Sequence, residues 1–269
     1  MEYNGTLRKM NNEYDEDTGD VTYHLNLNNE AVCNLNDAIG KEVTLSFNGK
    51  IFCTGCGKKI RKTYSDGLCY TCMITLPQAD MCILKPHTCH HHKGTCRDPQ
   101  WGLDNCFQPH TLYLARSSSI KIGITRGTAP FGRWMDQGAI EGMAIGSFPN
   151  RREVGIAEYS VSEKMSDKTN WRKMLTNDVT CVPFEEYIDM AKATLDEEQK
   201  DHLIEEPKSY KLHYPVTEYP EKVKSCNLNK MPFISKVLTG IKGQYLLFDN
   251  EVLNLRSHAG YEIGLTVEG

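Results

Sequence analysis

Apolar and polar residues alternate in two stretches early in the chain, VTYHLNLN (21–28) and KEVTLSFNGKIFC (41–53), with Asn, Gly and Asp clusters between them. A period of two puts one set of side chains on each face, so both stretches are predicted as strands. HTLYLARSSSIKIGITR (110–126) reads as two apolar strands joined by a polar Arg-Ser-Ser-Ser turn, a β-hairpin. The rhythm then becomes helical. One helix is predicted over 151–166. A second is predicted from Pro183, suited to a first helical position, to about Ile204, with Phe184, Tyr187, Ile188, Ala191 and Leu195 on one face. The last fifty residues return to short strands, with Asp249-Asn250 and glycines for turns. The two β-rich ends are expected to close together as one small sheet or barrel. The fold class is α+β.

Residues 53–107 show neither period. Such a segment cannot build a core by burial, so metal must supply its folding energy. Two Cys-x-x-Cys turns, CTGC (53–56) and CYTC (69–72), stand twelve residues apart. Two residues between paired cysteines let both sulfurs reach one ion from a tight turn, and two such turns complete a tetrahedral thiolate shell. Cys53, Cys56, Cys69 and Cys72 are therefore read as a zinc ribbon. With four protein ligands no position remains for water, which makes the site structural. A second zinc is expected from Cys82, Cys89, Cys96 and Cys106, with His87, His90, His91, His92 and His110 close enough in sequence to replace one of them.

The chain has 11 cysteines, of which eight fall in residues 53–106. An acidic, polar start (MEYNGTLRKMNNEYDEDTGD) has the character of neither a secretion signal nor a transit peptide. Metal rather than a disulfide framework is the expected use of the cysteines, and the cytoplasm the expected compartment. No apolar run approaches the roughly 18 residues of a membrane span.

Net charge is −4, but it is unevenly spread. Residues 50–152 carry 14 Lys and Arg against 6 Asp and Glu, a local +8, with −6 on either side. A basic middle between acidic ends points to a polyanion partner, nucleic acid, with no membrane partner. Lys58, Lys59, Arg61 and Lys62 put four cations on the ribbon loop, the expected phosphate-facing knuckle. Trp101, Trp134 and Trp171 are candidates for base stacking or core anchoring, and Arg256 to Tyr261 for a binding face.

In the helix over 151–166, Val154, Glu158, Val161 and Met165 fall within about 60° of arc. A glutamate on a packing stripe loses hydration, so it is expected to meet a cation or an arginine.

The order Leu112-Tyr113-Leu114, Lys121-Ile122-Gly123-Ile124-Thr125, Arg133 and Ala157-Glu158 resembles the GIY-YIG domain, in its branch with Lys-Ile-Gly for Tyr-Ile-Gly. The likeness spans about 110–175. It implies a three-stranded sheet backed by helices and metal-dependent phosphodiester hydrolysis. By that pattern Tyr113 is the general base, Arg133 steadies the scissile phosphate, and Glu158 holds Mg2+ or Mn2+. Arg126 is a second phosphate candidate, and Lys121, where a second tyrosine is expected, supplies positive charge to Tyr113. Thr111 and Leu112 stand at the Gly-Ile positions. The whole chain also resembles an uncharacterised family of prokaryotic proteins. The implied organisation is a β-rich segment (1–50), a zinc module (51–107), a GIY-YIG-like domain (108–178) and a helix with a β-rich segment (179–269). The implied function is a nuclease on DNA or RNA. The alternative is a non-catalytic, zinc-dependent nucleic-acid-binding module.

Overall fold

The computed structural model describes residues 1–165 and 170–268, and it is α+β. Ser166, the last residue of the first predicted helix, and Thr169 lie outside the described residues.

The long strand Glu42–Phe52 lies between Tyr261–Val267 and Phe233–Val237, and Glu2–Thr6 pairs along the far side of Tyr261–Val267. The two ends of the chain thus meet as neighbouring antiparallel strands. Val21–Leu27 and Tyr261–Val267 each bury every second residue, as a period of two requires of sheets with one face on a core. Tyr23, Leu25 and Leu27 share one apolar cluster with Val43, Leu45, Ile263 and Leu265.

The predicted hairpin is present as His110–Arg116 and Ile120–Arg126, with Ser117 to Ser119 as the turn. Its sheet has four strands rather than three. Glu141–Phe148 pairs with the other side of His110–Arg116, and Ser209–Lys211 adds an outer strand from much later in the chain. Every residue of His110–Arg116 is buried because both faces of the sheet are covered. Leu112 and Leu114 lie under Val154, Ala157 and Val161 of the helix Arg151–Ser162. Tyr113 and Ala115 face the other way, into the cluster of Trp134, Met135 and Ala139 that continues to both chain ends.

The second predicted helix is interrupted. It runs Phe184–Thr194, with Pro183 as its cap rather than its first turn, and Leu195 is extended. Asp196 then opens a new helix, Glu197–Lys200, through a reciprocal capping box with Gln199. That box satisfies two amide donors that a continuous helix would not leave free, so it restarts the backbone. Phe184, Ala191 and Leu195 are nevertheless buried together. No helix among the described residues is long and apolar enough to cross a membrane.

Candidate metal centre and hairpin site

The ribbon grows out of the long strand: Lys59–Ile60 pairs with Ile51 and Phe52, so the first cysteine pair sits at a strand end. Gly57 turns the chain at φ +72°. Gly67 turns it at φ +83°, where a Cβ would stand 2.6 Å from the Ala259 carbonyl oxygen. The second pair opens the helix Tyr70–Thr75, with Cys69 as its cap. All four sulfurs lie within 4.8 Å of one another. The amides of Gly55, Cys56 and Cys69 donate to Cys53 Sγ at 3.4, 3.5 and 3.1 Å. Burial pushes the Cys53 thiol up, but these amides outweigh it and hold it at about 6. Its hydrogen bond with Cys69 pushes Cys72 up to about 12, because four thiols this close cannot all ionise together. A divalent cation resolves that conflict, and four soft sulfurs this close together fit zinc. Leu68 and Leu76 wrap the cage, and Arg256 donates to both Asp66 oxygens at 2.8 and 3.2 Å, tying the ribbon to the C-terminal strands.

Lys58, Lys59, Arg61 and Lys62 are all exposed. Two aromatic rings stand among them: Tyr64 and Tyr70 are 39% and 56% exposed, with ring centroids 5.7 Å apart, and Lys62 Nζ lies 5.3 Å from the Tyr64 ring. Sequence reasoning missed these tyrosines. The position of Tyr64 two residues after Lys62, and of Tyr70 inside the second cysteine pair, was the available signal.

In the second cluster, Cys82, Cys89, Cys96 and Cys106 all line one small cavity of about 20 Å³, though no three of their sulfurs lie within 4.8 Å of one another as the ribbon's four do. Asp80, which the sequence did not single out, lies with Cys82 and His90 within 4.8 Å. Its carboxylate accepts from Arg97 Nε at 2.8 Å and from the Cys82 amide at 3.1 Å. Trp101 lines the same cavity.

On the hairpin, Tyr113 is fully buried. Its ring meets Trp134 edge to face at 6.1 Å, and its oxygen accepts from Gln137 Nε2 at 2.9 Å. The ring lies across Gly123, where a Cβ would stand 2.5 Å from the phenol oxygen. Glycine is required here for a packing reason. Burial raises the Tyr113 phenol above 10, against a lowering by Arg133, which hydrogen-bonds it. Arg133, itself exposed, is the cation that acts most on the phenol. Lys121 stands opposite Ala115 in the strand register, two residues from Gly123 and on the same face of the hairpin as Tyr113. Glu158 is on the helix covering the opposite face of the sheet. It lines an open cleft of about 360 Å³ with Lys85, His87 and Ile122. Its charge reaches Tyr113 and Arg151. Arg126 is exposed at the far end of its strand, where its charge acts on His110 and Cys106. The structure therefore brings Arg133 to Tyr113 on one face of the sheet and places Glu158 on the helix over the other, where Arg151 feels both its charge and that of Arg126.

A family model described as Protein of unknown function (DUF2797) matches residues 40–263. The chain belongs to the DUF2797 family. No curated protein and no solved structure matches it. The DUF2797 match begins just before the long strand and takes in the ribbon, the second cysteine cluster and the hairpin sheet. Within it, the remaining sequence candidates have structural partners. Trp134 is core, and Trp171 stacks on Tyr245 at 5.9 Å. His258 Nε2 accepts from the Leu228 amide, and Tyr261 accepts from Asn229.

Proposed function

We propose that this DUF2797 protein grips nucleic acid through its zinc-folded ribbon, with unpaired bases stacking on Tyr64 and Tyr70 while Lys58, Lys59, Arg61 and Lys62 track the phosphates. The observation that carries this reading is the exposure of two adjacent tyrosines, one of them beside Lys62, on a ribbon that carries four exposed cations. A buried or ion-paired set would have no such use. Every base offers a π-face, so stacking needs no sequence, and cations supply most of the affinity. The ribbon metal does no chemistry here: it fixes the knuckle from which these side chains project. Fluorescence anisotropy with single-stranded DNA and RNA oligomers tests the reading. The Tyr64→Ala, Tyr70→Ala double variant loses about 1–3 kcal/mol per stacked base with zinc content unchanged. Wild-type affinity in that variant overturns the stacking.

One observation favours a second reading, phosphodiester hydrolysis: Arg133 meets Tyr113, the residues to which the GIY-YIG resemblance gives the phosphate and base roles, and Glu158 lines an open cleft. A single carboxylate with waters is an ordinary seat for Mg2+ or Mn2+ beside phosphate. Against it stands the burial of Tyr113, since a general base must come within hydrogen-bond reach of its proton. Incubating the protein with labelled DNA and RNA, with Mg2+ or Mn2+ and then with chelator, separates the readings. Cleavage that is lost in chelator and in Glu158→Gln establishes hydrolysis; intact oligomer leaves the binding module.

A further inference from the structure

Residues 80–109 contribute to none of the four hydrophobic clusters among the described residues. Yet this stretch folds into a series of short turns and helices: Met81–Leu84, Pro86–Thr88, His91–Lys93 and Pro99–Cys106. Helices this short do not hold themselves together in water. Its cysteines are all unbridged. What these turns share is the cavity of about 20 Å³, to which Cys82, Cys89, Cys96 and Cys106 each come from a different place. Cys82 lies in the first helix, Cys89 ends the turn after it, Cys96 follows the left-handed Gly94, and Cys106 ends the last helix. Gly102 leaves room for the His91 ring beside the cavity: a Cβ there would stand 2.9 Å from His91 Cδ2.

We propose that Cys82, Cys89, Cys96 and Cys106 hold a second thiophilic divalent metal, zinc by its donor set, and that this centre clamps residues 81–106 onto the helix Arg151–Ser162.

Asp80 and His90 lie nearer Cys82 but are engaged elsewhere. One Asp80 oxygen takes Arg97 and the other takes the Cys82 amide. His90 meets Thr95 Oγ1 through Nδ1 at 2.8 Å and Asp80 through Nε2 at 3.5 Å, so both ring nitrogens are occupied. These groups orient the shell around the sulfurs, as outer carboxylates and imidazoles do around structural metals. Four thiolates are also the softer set and the better match to zinc.

The clamp follows from what the segment touches. Arg151 Nη2 donates to the Ile83 carbonyl at 2.6 Å, and His87 packs at a tilt against Tyr159 with centroids 4.3 Å apart. Gly155 faces Pro86 so closely that any side chain at 155 would collide with it. Glu158 sits between these contacts and shares its cleft with Lys85 and His87. The centre therefore sets the wall of that cleft as well as the fold of its own segment.

The test is cobalt titration of the full chain under reductant, reading thiolate charge-transfer and d–d bands, with amide exchange on the same samples. Wild type takes two equivalents per chain. Cys89→Ser and Cys96→Ser take one, and the ribbon bands that remain report a folded ribbon. The Asp80→Asn, His90→Ala double variant still takes two. In Cys96→Ser, amides of Arg151–Ser162 exchange at least about tenfold faster, because their packed partner is loosened. A single equivalent in wild type overturns the site. Two equivalents in Cys96→Ser, or one in the double variant, overturn the ligand set. Unchanged exchange overturns the clamp. All of these readouts are independent of nucleic-acid binding, so failure of the ribbon's proposed function leaves them standing.

Discussion

The ribbon and the hairpin sheet carry comparable sequence motifs but hold them in opposite ways. The ribbon has almost no core: Cys53, Leu68 and Cys72 are its buried apolar residues, and its charged and aromatic groups all point outward. The hairpin strand His110–Arg116 is buried along its whole length, and its candidate base, Tyr113, is inside the core. A metal cage lets a short segment fold while committing few side chains to packing, which leaves the rest free for a partner. A sheet covered on both faces has no such surplus. Motif residues on the ribbon are available to ligands, and on the hairpin they are structural unless they reach a strand end, as the exposed Arg126 does.

The sharpest way to break this comparison is to remove a ribbon ligand. Cys53→Ser leaves three thiolates and forfeits folding free energy on the order of 10 kcal/mol. The product is expected to be insoluble or to show lost ribbon structure by circular dichroism, with less zinc per chain. Normal stability in a zinc-depleted variant would show that packing, not metal, holds the segment. On the hairpin the corresponding disruption is steric and smaller. Gly123→Ala drives a methyl group into the Tyr113 ring, at a cost of about 1–3 kcal/mol. Chemical denaturation measures it, and a neutral result would mean that Tyr113 can swing outward, which would restore it as a candidate base.

The smallest effect is a titration. Burial, with Arg151 and Arg126 adding their charge, holds His110 down at about 4 against 6.5 for a free imidazole, and Gln108 opposes only in part. The unfolded chain therefore binds the proton first. Stability from this group is full above pH 6.5 and is lost as pH falls toward 4. The denaturation midpoint should decline between pH 7 and pH 5, and His110→Gln should make that decline shallower. An identical slope in the variant would assign the loss to other groups.

What the sequence revealed was what local spacing controls. Paired cysteines two residues apart meet on one ion whatever surrounds them, and period-two strands declare their own faces. The hairpin and the helix beginning at Arg151 were legible for the same reason. The break at Leu195 was written in Asp196 and Gln199, but an apolar face continuing to Leu195 concealed it. The burial of Tyr113 could not be read at all. It depends on Trp134 and on strands from both chain ends, whose contacts span the length of the sequence. Asp80, Arg97 and Gln137 were equally silent, because partners set their importance and motifs do not.

Salt dependence of oligonucleotide binding tests the ribbon's role most directly. Log affinity should fall linearly with log salt, as expected when lysines and arginines displace counterions. Replacing Lys58, Lys59, Arg61 and Lys62 with Gln together should flatten that slope by about 3, since each neutralised phosphate contributes a little under one. Zinc content should stay at the wild-type value. An unchanged slope in a folded, zinc-loaded variant would contradict the ribbon as the nucleic-acid grip.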